Sequence, residues 1–337
     1  MPTSAKAGID RNGAAARTDT RGRSVVYELL EQYCAEHGLH LTAGDSRGHA
    51  GCIEDGRGKR WFFKGTRFDI NPLGSAEIAN DKAYSLHFLE QAGVRVPESL
   101  LVFAQDVRTG RQLPADILQF VEDHGFPLFL KPNIGQEGQD VFRIHGFAEL
   151  SDMLHRLSGT HPQLLLQPEM SGRDLRVIIL DGDVLCAVER RAAQVTGDGR
   201  QSIATLIGAH TRIAPSDGRI DAALAHQGLT RDSVPGAGDR VALLPVTNLS
   251  TGGTADIVTG QLAPGVLDAA RKAAAVLGLR YAGVDMILTG SAPHTAEAVI
   301  LEVNAAPGLS NLYRQGPGEA ACVGAIYGTL FSRLFAK

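Results

Sequence analysis

The chain has 337 residues, of which 44% are hydrophobic and 21% charged, a composition typical of a globular protein of two or three packed units. Its 33 Lys and Arg against 37 Asp and Glu give a formal charge of −4, which argues against a nucleic-acid partner. No apolar run is long enough to cross a bilayer, so no membrane partner is expected.

The cysteines and the first residues indicate a cytoplasmic protein. The four cysteines are scattered and form no C-x-x-C pair, which is typical of reduced thiols rather than of disulfides or a zinc site. Residues 1–23 are rich in Ala, Gly, Ser and charge and lack the apolar segment of a secretory signal. They are predicted to be a disordered tail.

Predicted helices and strands alternate without a fixed repeat. A helix begins near Val25, the strand KRWFFKGT follows, and SAEIANDKAYSLHFLEQAG is predicted to be one helix that ends before Gly93. A compact unit comes next, with the order helix PADILQFVEDHG, strand PLFLKP, glycine-bearing loop, strand DVFRIH, helix FAELSDMLHRLS and strand QLLLQPEM.

Two predicted hairpins follow this unit. The first turns at Asp181–Gly182, and the second runs from YAGVDMIL to AVILEVN, after the helix LDAARKAAAVLGL. The segments around SVPGAGDRVAL and TNLSTGGTADIV are predicted to be loop-rich. This order predicts a small α+β lid set into a larger antiparallel α+β body.

The apolar stretch VILEVNAAPGL contains Glu302 and Asn304, which share one face of a strand. If the second hairpin closes symmetrically about Pro293–His294, Asp285 lies directly across from Glu302, with Cβ atoms about 5 Å apart. Two such carboxylates repel unless a cation lies between them. The oxygen ligands suit Mg²⁺ or Mn²⁺ rather than zinc, while the alternative is a solvated polar face.

The stretch PLFLKPNIGQEGQDV is a strand that ends in Lys131 and enters a loop with Gly135 and Gly138. Glycines let backbone N–H groups approach phosphate oxygens. Neither G-x-x-x-x-G-K-[ST] nor G-x-G-x-x-G occurs there, so a structural turn would explain the loop equally well.

The strand LLLQPEM breaks at Pro168 and resumes at Asp174. The break is expected to leave backbone groups of Glu169 and Met170 free to pair with a flat heterocycle such as adenine. A hinge between domains is the alternative, and the two interpretations are compatible. Upstream, a lysine such as Lys82, isolated on a predicted helix, is most often only solvated.

Six segments, in this order, resemble the ATP-grasp superfamily, specifically the ATP-grasp module of cyanophycin synthetase and of bifunctional glutathione synthetase. They are GSAEIANDK, FLKPNIGQEGQDV, GRDLRVIILDGDVLCAVERRAAQVTGDGRQSIATLI, NLSTGGTADIVT, AGVDMIL and LEVNAAPGL. The resemblance implies an α+β fold that holds ATP between two α+β subdomains. It divides the chain into a tail (1–23), an N-terminal domain (24–97), a lid subdomain (98–168) and a catalytic core subdomain (169–337).

The resemblance also implies roles for the residues that match the family's motifs. ATP would be bound by Lys82, Lys131, Gly135, Gly138, Gln167, Glu169, Met170 and Asp174, the last of them at the ribose or the substrate. The Mg²⁺ ligands would be Asp285, Glu302 and Asn304, and catalysis would use Arg176, Arg190 and Lys131. Substrates would contact Arg67 and the acceptor loop NLSTGGT, through Asn248, Ser250, Thr251, Gly252 and Gly253.

The activity implied is that of an ATP-dependent carboxylate–amine ligase acting on amino acids or short peptides. A carboxylate would attack the γ-phosphate of ATP to give an acylphosphate and ADP, and an amine would then displace phosphate and form an amide. Relatives are commonly homodimers or homotetramers. The alternatives are a small-molecule kinase on the same fold and a non-catalytic nucleotide-binding module.

The sequence departs from that pattern in two ways. The phosphate loop carries Glu137 and Asp140 where histidine and glycine are usual, and these acids should weaken or redirect nucleotide contact. The chain also lacks the G-K-[ST] loop of a Mur-ligase-like half, and it lacks a glutamate–cysteine ligase half. A free-standing ligase is therefore expected, with substrate specificity in residues 67–74 and 204–243.

Overall fold

The computed structural model of the protein describes residues 22–110, 112–135, 138–209, 213–290 and 296–335. Its helices are α1 (Val25–His37), α2 (Leu73–Asn80), α3 (Lys82–Gln91), α4 (Ala104–Thr109), α5 (Ala115–His124), α6 (Phe147–Ser158), α7 (Ile203–Gly208), α8 (Arg219–His226), α9 (Pro264–Val276), α10 (Ser310–Tyr313) and α11 (Pro317–Leu334). Of the predicted tail, residues 1–21 lie outside the described residues.

Within the described ranges the strands form four antiparallel sheets, which confirms the predicted α+β class. They are β1 (His40–Ala43), β2 (Ala50–Glu54), β3 (Arg60–Lys64), β4 (Arg67–Phe68), β5 (Leu100–Phe103), β6 (Leu128–Pro132), β7 (Phe142–Ile144), β8 (Gln163–Pro168), β9 (Arg173–Leu180), β10 (Asp183–Arg191), β11 (Gln194–Thr196), β12 (Arg240–Ala242), β13 (Thr254–Ile257), β14 (Tyr281–Thr289) and β15 (Glu297–Asn304). None of the helices in the described ranges is long and apolar enough to cross a membrane.

The N-terminal sheet has the order β1-β2-β3-β4 and packs with α1 and α11. Alternation in β3 turns Trp61 and Phe63 into the core and leaves Phe62 exposed, as expected for a sheet with one covered face. The short turn at Gly65 and Thr66 joins β3 to β4. This turn reaches the cavity described below.

The lid sheet has the order β5-β8-β6-β7 and packs against α4, α5 and α6. In β6, Leu128 and Leu130 are fully buried in that core. Successive side chains of a strand point to opposite faces, so Phe129 and Lys131 lie on the other face. That face borders the cavity, which explains why a lysine is tolerated next to buried leucines.

The core sheet has the order β13-β10-β9-β14-β15. One face packs on α9, and the other packs on α1 and α11, which explains why β14 is buried along nearly its whole length. On the second face of β9, Ile178 and Leu180 belong to the apolar core. Arg176 follows on the same face toward the other end of the strand, so the face changes there from apolar to charged.

Three local predictions differ from the structure. The predicted single helix over residues 75–92 is wrong, because Asp81 adopts an extended conformation that separates α2 from α3 and accepts a hydrogen bond from the N–H of Tyr84. The predicted loops contain β13, which pairs with β10, and β12, which pairs with β11. The Asp181–Gly182 turn is confirmed, with both residues at positive φ. The proposed domain boundaries stay a prediction.

Candidate active site

A cavity of about 620 Å³ lies between the lid sheet and the core sheet. Nearly all of the predicted site residues line it: Arg67, Lys82, Lys131, Gly135, Gly138, Gln167, Glu169, Met170, Asp174, Arg176, Arg190, Asn248, Ser250, Asp285, Glu302 and Asn304. Thr251, Gly252 and Gly253 do not line it. No described residue of the segment 204–243 lines it either, although specificity was expected there.

Asp285 on β14 pairs with Glu302 on β15, as the sequence predicted. The register shifts by one residue between Asp285 and Met286, and the turn expected at residues 293–294 lies outside the described residues. The side-chain amide of Asn304 lies 3.1 Å from Glu302 Oε1 and 3.4 Å from Asp285 Oδ2. Two carboxylates and an amide therefore converge at the end of the hairpin.

This donor set fits a divalent cation that prefers oxygen ligands. The two carboxylates supply negative charge, and an amide can present its oxygen by turning about its last bond. Burial alone would raise the pKa of Asp285, but the guanidinium groups of Arg176 and Arg190 hold that pKa well below its ordinary value. Asp285 is therefore ionised at any ordinary pH. In the described ranges, no cluster of three or more His, Cys, Asp or Glu side chains offers a rival site.

Two arginines hold Asp285 in place. Arg176 donates two hydrogen bonds of 2.6 Å to its carboxylate, and Arg190 lies 3.3 Å from Oδ2. Arg190 also donates to Asp174 Oδ1 through two nitrogens, at 2.7 and 2.6 Å. Side chains from three neighbouring strands thus form one buried network of two cations and two carboxylates.

Asp174 has both of its oxygens engaged by the protein. Oδ1 accepts from Arg190, and Oδ2 accepts a 2.5 Å hydrogen bond from the hydroxyl of Thr247. The ribose or substrate contact that the resemblance implied for Asp174 stays a prediction, but this geometry gives the carboxylate a different set of partners. Thr247 was not among the predicted site residues. Its only sequence signal is that it directly precedes the NLSTGGT loop.

The other residues of the predicted acceptor loop, 248–254, make contacts that fix the conformation of the loop. The Thr251 hydroxyl donates to the Asn248 carbonyl at 3.0 Å. A Cβ on Gly253 would lie 2.7–2.9 Å from the carbonyl oxygens of Arg191, Asn248 and Thr247, so only glycine fits there. Residues 248–250 line the cavity, while Thr251 and Gly253 hold the loop in place behind them.

Two lysines lie near the glycine loop that was predicted to bind phosphate. Lys82 is the first residue of α3, where the break at Asp81 places it, and its Nζ lies 3.0 Å from the Gly135 carbonyl and 3.4 Å from Glu302 Oε2. Burial lowers the pKa of Lys131 to about 8, while Glu302 opposes this shift and Lys82 adds to it. Lys82, which looked isolated in the sequence, therefore belongs to a charged cluster with Lys131 and Glu302.

The predicted phosphate loop contacts other parts of the chain at Gly138, which has φ +67°. Its carbonyl accepts a 2.8 Å hydrogen bond from Arg219 of α8, and a Cβ added to Gly138 would lie 2.5 Å from Asn248 Oδ1. Asp140, at φ +53°, adopts the left-handed conformation that favours glycine and directs its carboxylate to His161 Nε2 at 2.9 Å. Glu137 lies outside the described residues.

The predicted adenine hinge has one backbone donor fewer than expected. The Glu169 N–H donates to the Pro127 carbonyl at 3.3 Å, so the prediction that it is free is wrong. In the described part of the chain, the Glu169 carbonyl and the Met170 N–H have no backbone partner. The Glu169 carboxylate receives two hydrogen bonds from Arg143, a residue that sequence reasoning missed.

The lid sheet and the core sheet thus enclose two lysines, a glycine loop and a carboxylate–amide set, the arrangement that the predicted resemblance to ATP-grasp proteins implies. Residues 79–211 match the family model of the RimK-like ATP-grasp domain. This match confirms the predicted resemblance to the ATP-grasp superfamily for that part of the chain.

Known relatives match over most of this chain but over a minority of their own length. Cyanophycin synthetase of Trichormus variabilis (strain ATCC 29413 / PCC 7937) is 30% identical over 263 residues, covering 73% of this chain and 28% of that protein. The glutathione biosynthesis bifunctional protein GshAB of Desulfotalea psychrophila (strain LSv54 / DSM 12343) is 23% identical over 310 residues, covering 86% and 38%. The chain therefore spans less than two fifths of the length of either relative.

A solved structure shares the fold. The bifunctional glutathione synthetase from Pasteurella multocida superposes with a TM-score of 0.58 at 19% identity, covering 92% of this chain and 44% of that one. At this identity the similarity establishes the fold alone.

Proposed function

We propose that the protein is an ATP-dependent carboxylate–amine ligase of amino acids or short peptides. The observation that carries the proposal is the convergence of Lys82, Lys131, the Arg176–Asp285 pair and Glu302 on one cavity beneath a glycine loop. The relatives named above are a cyanophycin synthetase and a glutathione biosynthesis protein, and their similarity supports a ligase here.

The chemistry brings negative charges together, because a substrate carboxylate must attack the γ-phosphate of ATP. Lys82 and Lys131 would offset the charge of the phosphates. Arg176 and Arg190, held in place by Asp285 and Asp174, would direct N–H groups toward the attacking carboxylate and the transferred phosphoryl group. Mg²⁺ or Mn²⁺, held by Asp285, Glu302 and Asn304, would further neutralise the phosphate oxygens. The bond from the γ-phosphorus to the bridging oxygen breaks, ADP leaves with the electron pair, and the product of this step is an acylphosphate.

In the second step the nitrogen of an amine attacks the acyl carbon, the bond from that carbon to the phosphate oxygen breaks, and phosphate leaves with the electron pair. The lid must exclude water, which would otherwise hydrolyse the acylphosphate. The contacts of Gly138 with Arg219 and Asn248 support closure of the loop over the cavity. We propose residues 98–168 as the lid subdomain and residues 169–337 as the catalytic core subdomain.

We also propose a cytoplasmic location, which is supported by the four free thiols, two of which lie 3.3 Å apart without a disulfide. Assembly into a homodimer or homotetramer stays a prediction.

ATP turnover against a panel of amino acids, singly and in pairs, tests the ligase proposal. We expect ADP release that depends on the amine, together with an amide product detected by mass spectrometry. A kinase would release ADP without an amine and would yield a stable phosphorylated product. A non-catalytic nucleotide-binding module would bind ATP without turnover, and it would have no need of the complete oxygen-ligand set.

A further inference from the structure

Five cationic side chains line the cavity: Arg67, Lys82, Lys131, Arg176 and Arg190. Three of them are neutralised within it, because the two β-sheet arginines bind Asp285 and Asp174, and Lys82 faces Glu302. Lys131 lies beside Lys82 at the phosphate loop. In the described part of the chain, Arg67 has no ion-pair partner although it borders the same cavity.

The position of Arg67 is fixed by the turn between β3 and β4. The Gly65 N–H donates to the His49 carbonyl at 2.6 Å, and the Thr66 hydroxyl donates to the Ala306 carbonyl at 2.8 Å. Ala306 lies two residues beyond Asn304 of the candidate metal set. The turn therefore holds Arg67 against the segment that leaves the reaction centre.

Three segments that line this end of the cavity define what we call the Arg67 subsite: residues 65–67, 248–250 and 306–312. They lie together, since Leu249 and Leu312 pack into the same core cluster and Thr66 bonds to Ala306. Their other polar side chains are hydroxyls and amides, namely Thr66, Asn248, Ser250, Ser310 and Asn311. Among these lining segments, all of them described, Arg67 is the single charged side chain.

The charge of the subsite selects its ligand. A guanidinium without a counter-ion attracts a carboxylate, which it can bind through two hydrogen bonds. A cationic group placed there would find no compensating charge. An amine can attack only after it has lost its proton, and a protein carboxylate beside it would stabilise the protonated, unreactive ammonium form. The lining segments of the Arg67 subsite carry no such carboxylate. The subsite therefore suits the anionic end of an amine substrate whose nitrogen points toward the acylphosphate.

On the basis of the proposed function, we propose that Arg67 binds the non-reacting carboxylate of the amine substrate. The amine substrate is then a free amino acid or a peptide with a free C-terminal carboxylate, not a diamine and not a neutral amine. The new amide bond forms at its amino group, the proton of that group passes to solvent, and its carboxylate stays unchanged against Arg67.

The test compares the common amino acids with their carboxamides as amine substrates, with ATP, using the wild-type protein, Arg67→Gln, Arg67→Lys and Lys64→Gln. The wild type should prefer the free acid, and Arg67→Gln should raise the KM for it by about 10- to 100-fold with the KM for ATP unchanged. Arg67→Gln should also narrow the preference for acid over carboxamide. Arg67→Lys keeps the charge without the bidentate geometry, so its KM for the free acid should lie between the values of the wild type and of Arg67→Gln.

Lys64→Gln is the matched control, because Lys64 pairs with Arg67 in the same hairpin, is exposed and does not line the cavity. It should leave both KM values unchanged. Equal use of acid and carboxamide by the wild type, or an unchanged preference in a folded Arg67→Gln protein, would overturn the inference while leaving the ligase intact. Absence of amine-dependent ADP release with every substrate would instead overturn the proposed function, and the Arg67 assignment with it.

Discussion

Arg176 on β9 and Asp285 on β14 lie directly across from each other in the core sheet and are joined by two 2.6 Å hydrogen bonds. Arg190 and Asp174 extend this pair into a network of two cations and two carboxylates. Because the network is neutral in sum, it fixes the direction of the arginines without adding net charge.

Replacing Arg176 by Met should lower the free energy of unfolding by about 3–5 kcal/mol, since it leaves the buried Asp285 carboxylate without its main partner. Urea denaturation measures this change. The double variant Arg176→Met with Asp285→Leu removes both charges and should be less destabilised than the sum of the two single variants. If the loss of unfolding free energy in the double variant equalled the sum of the losses in the two single variants, Arg176 and Asp285 would not be coupled.

Glu302→Ala should reduce turnover on the order of 100-fold or more, because it removes a ligand of the candidate metal set. Circular dichroism should show an unchanged fold. Glu297→Ala, on an exposed residue at the start of the same strand, is the control and should retain full activity. Activity of Glu302→Ala within about tenfold of the wild type would refute the metal assignment.

Binding of ATP should depend on pH through Lys131. Its pKa is lowered to about 8, so it is charged below that pH and neutral above it. The affinity for ATP, measured by calorimetry in EDTA, should therefore be highest below about pH 8 and fall by up to about tenfold for each further pH unit. Lys131→Arg, which stays charged, should abolish this slope. A slope that persists in Lys131→Arg would assign it to another group.

The lowered pKa of Lys131 also makes the free energy of unfolding depend on pH. The pKa of Lys131 is lower in the folded protein than its ordinary value of 10.5, so the unfolded chain binds more protons between those two pH values. The contribution of Lys131 to the free energy of unfolding should accordingly rise from about pH 8 to about pH 10.5. Comparing wild type with Lys131→Met by urea denaturation isolates this contribution, and equal pH profiles would contradict it.

Thr247→Val should lower kcat/KM by about 10- to 100-fold, because Asp174 loses a hydrogen bond and no longer ties the acceptor loop to Arg190. Thr247→Ser retains the hydroxyl and should restore most of the activity. A general packing defect would affect both variants alike. Equal kcat/KM values for Thr247→Val and Thr247→Ser would therefore argue against a positioning role for the Thr247 hydroxyl.

The sequence predicted what depends on strand periodicity and on short-range spacing. Counting back from Glu302 across the hairpin identified Asp285 as its partner, and the pairing holds although the register shifts by one residue between Asp285 and Met286. The same alternation explains why Lys131 faces the cavity next to the buried Leu130. These relationships need no knowledge of distant segments.

Contacts between distant segments could not be predicted in this way. Thr247 bonds to Asp174 across 73 positions, and Arg219 bonds to the Gly138 carbonyl across 81. Neither residue belongs to a periodic pattern, and both reach the site through the packing of loops and short helices. The break at Asp81 was missed because the apolar spacing continues through it, while the capping hydrogen bond to Tyr84 N ends one helix and starts the next.

The most direct test of the ligase account uses the carboxylate substrate identified in the amino-acid panel, labelled with ¹⁸O in its carboxyl group. If the carboxylate attacks ATP to form an acylphosphate, one labelled oxygen passes into the released phosphate at each turnover. Mass spectrometry of that phosphate should therefore show one ¹⁸O atom per ADP formed. Amide product accompanied by unlabelled phosphate would contradict the account.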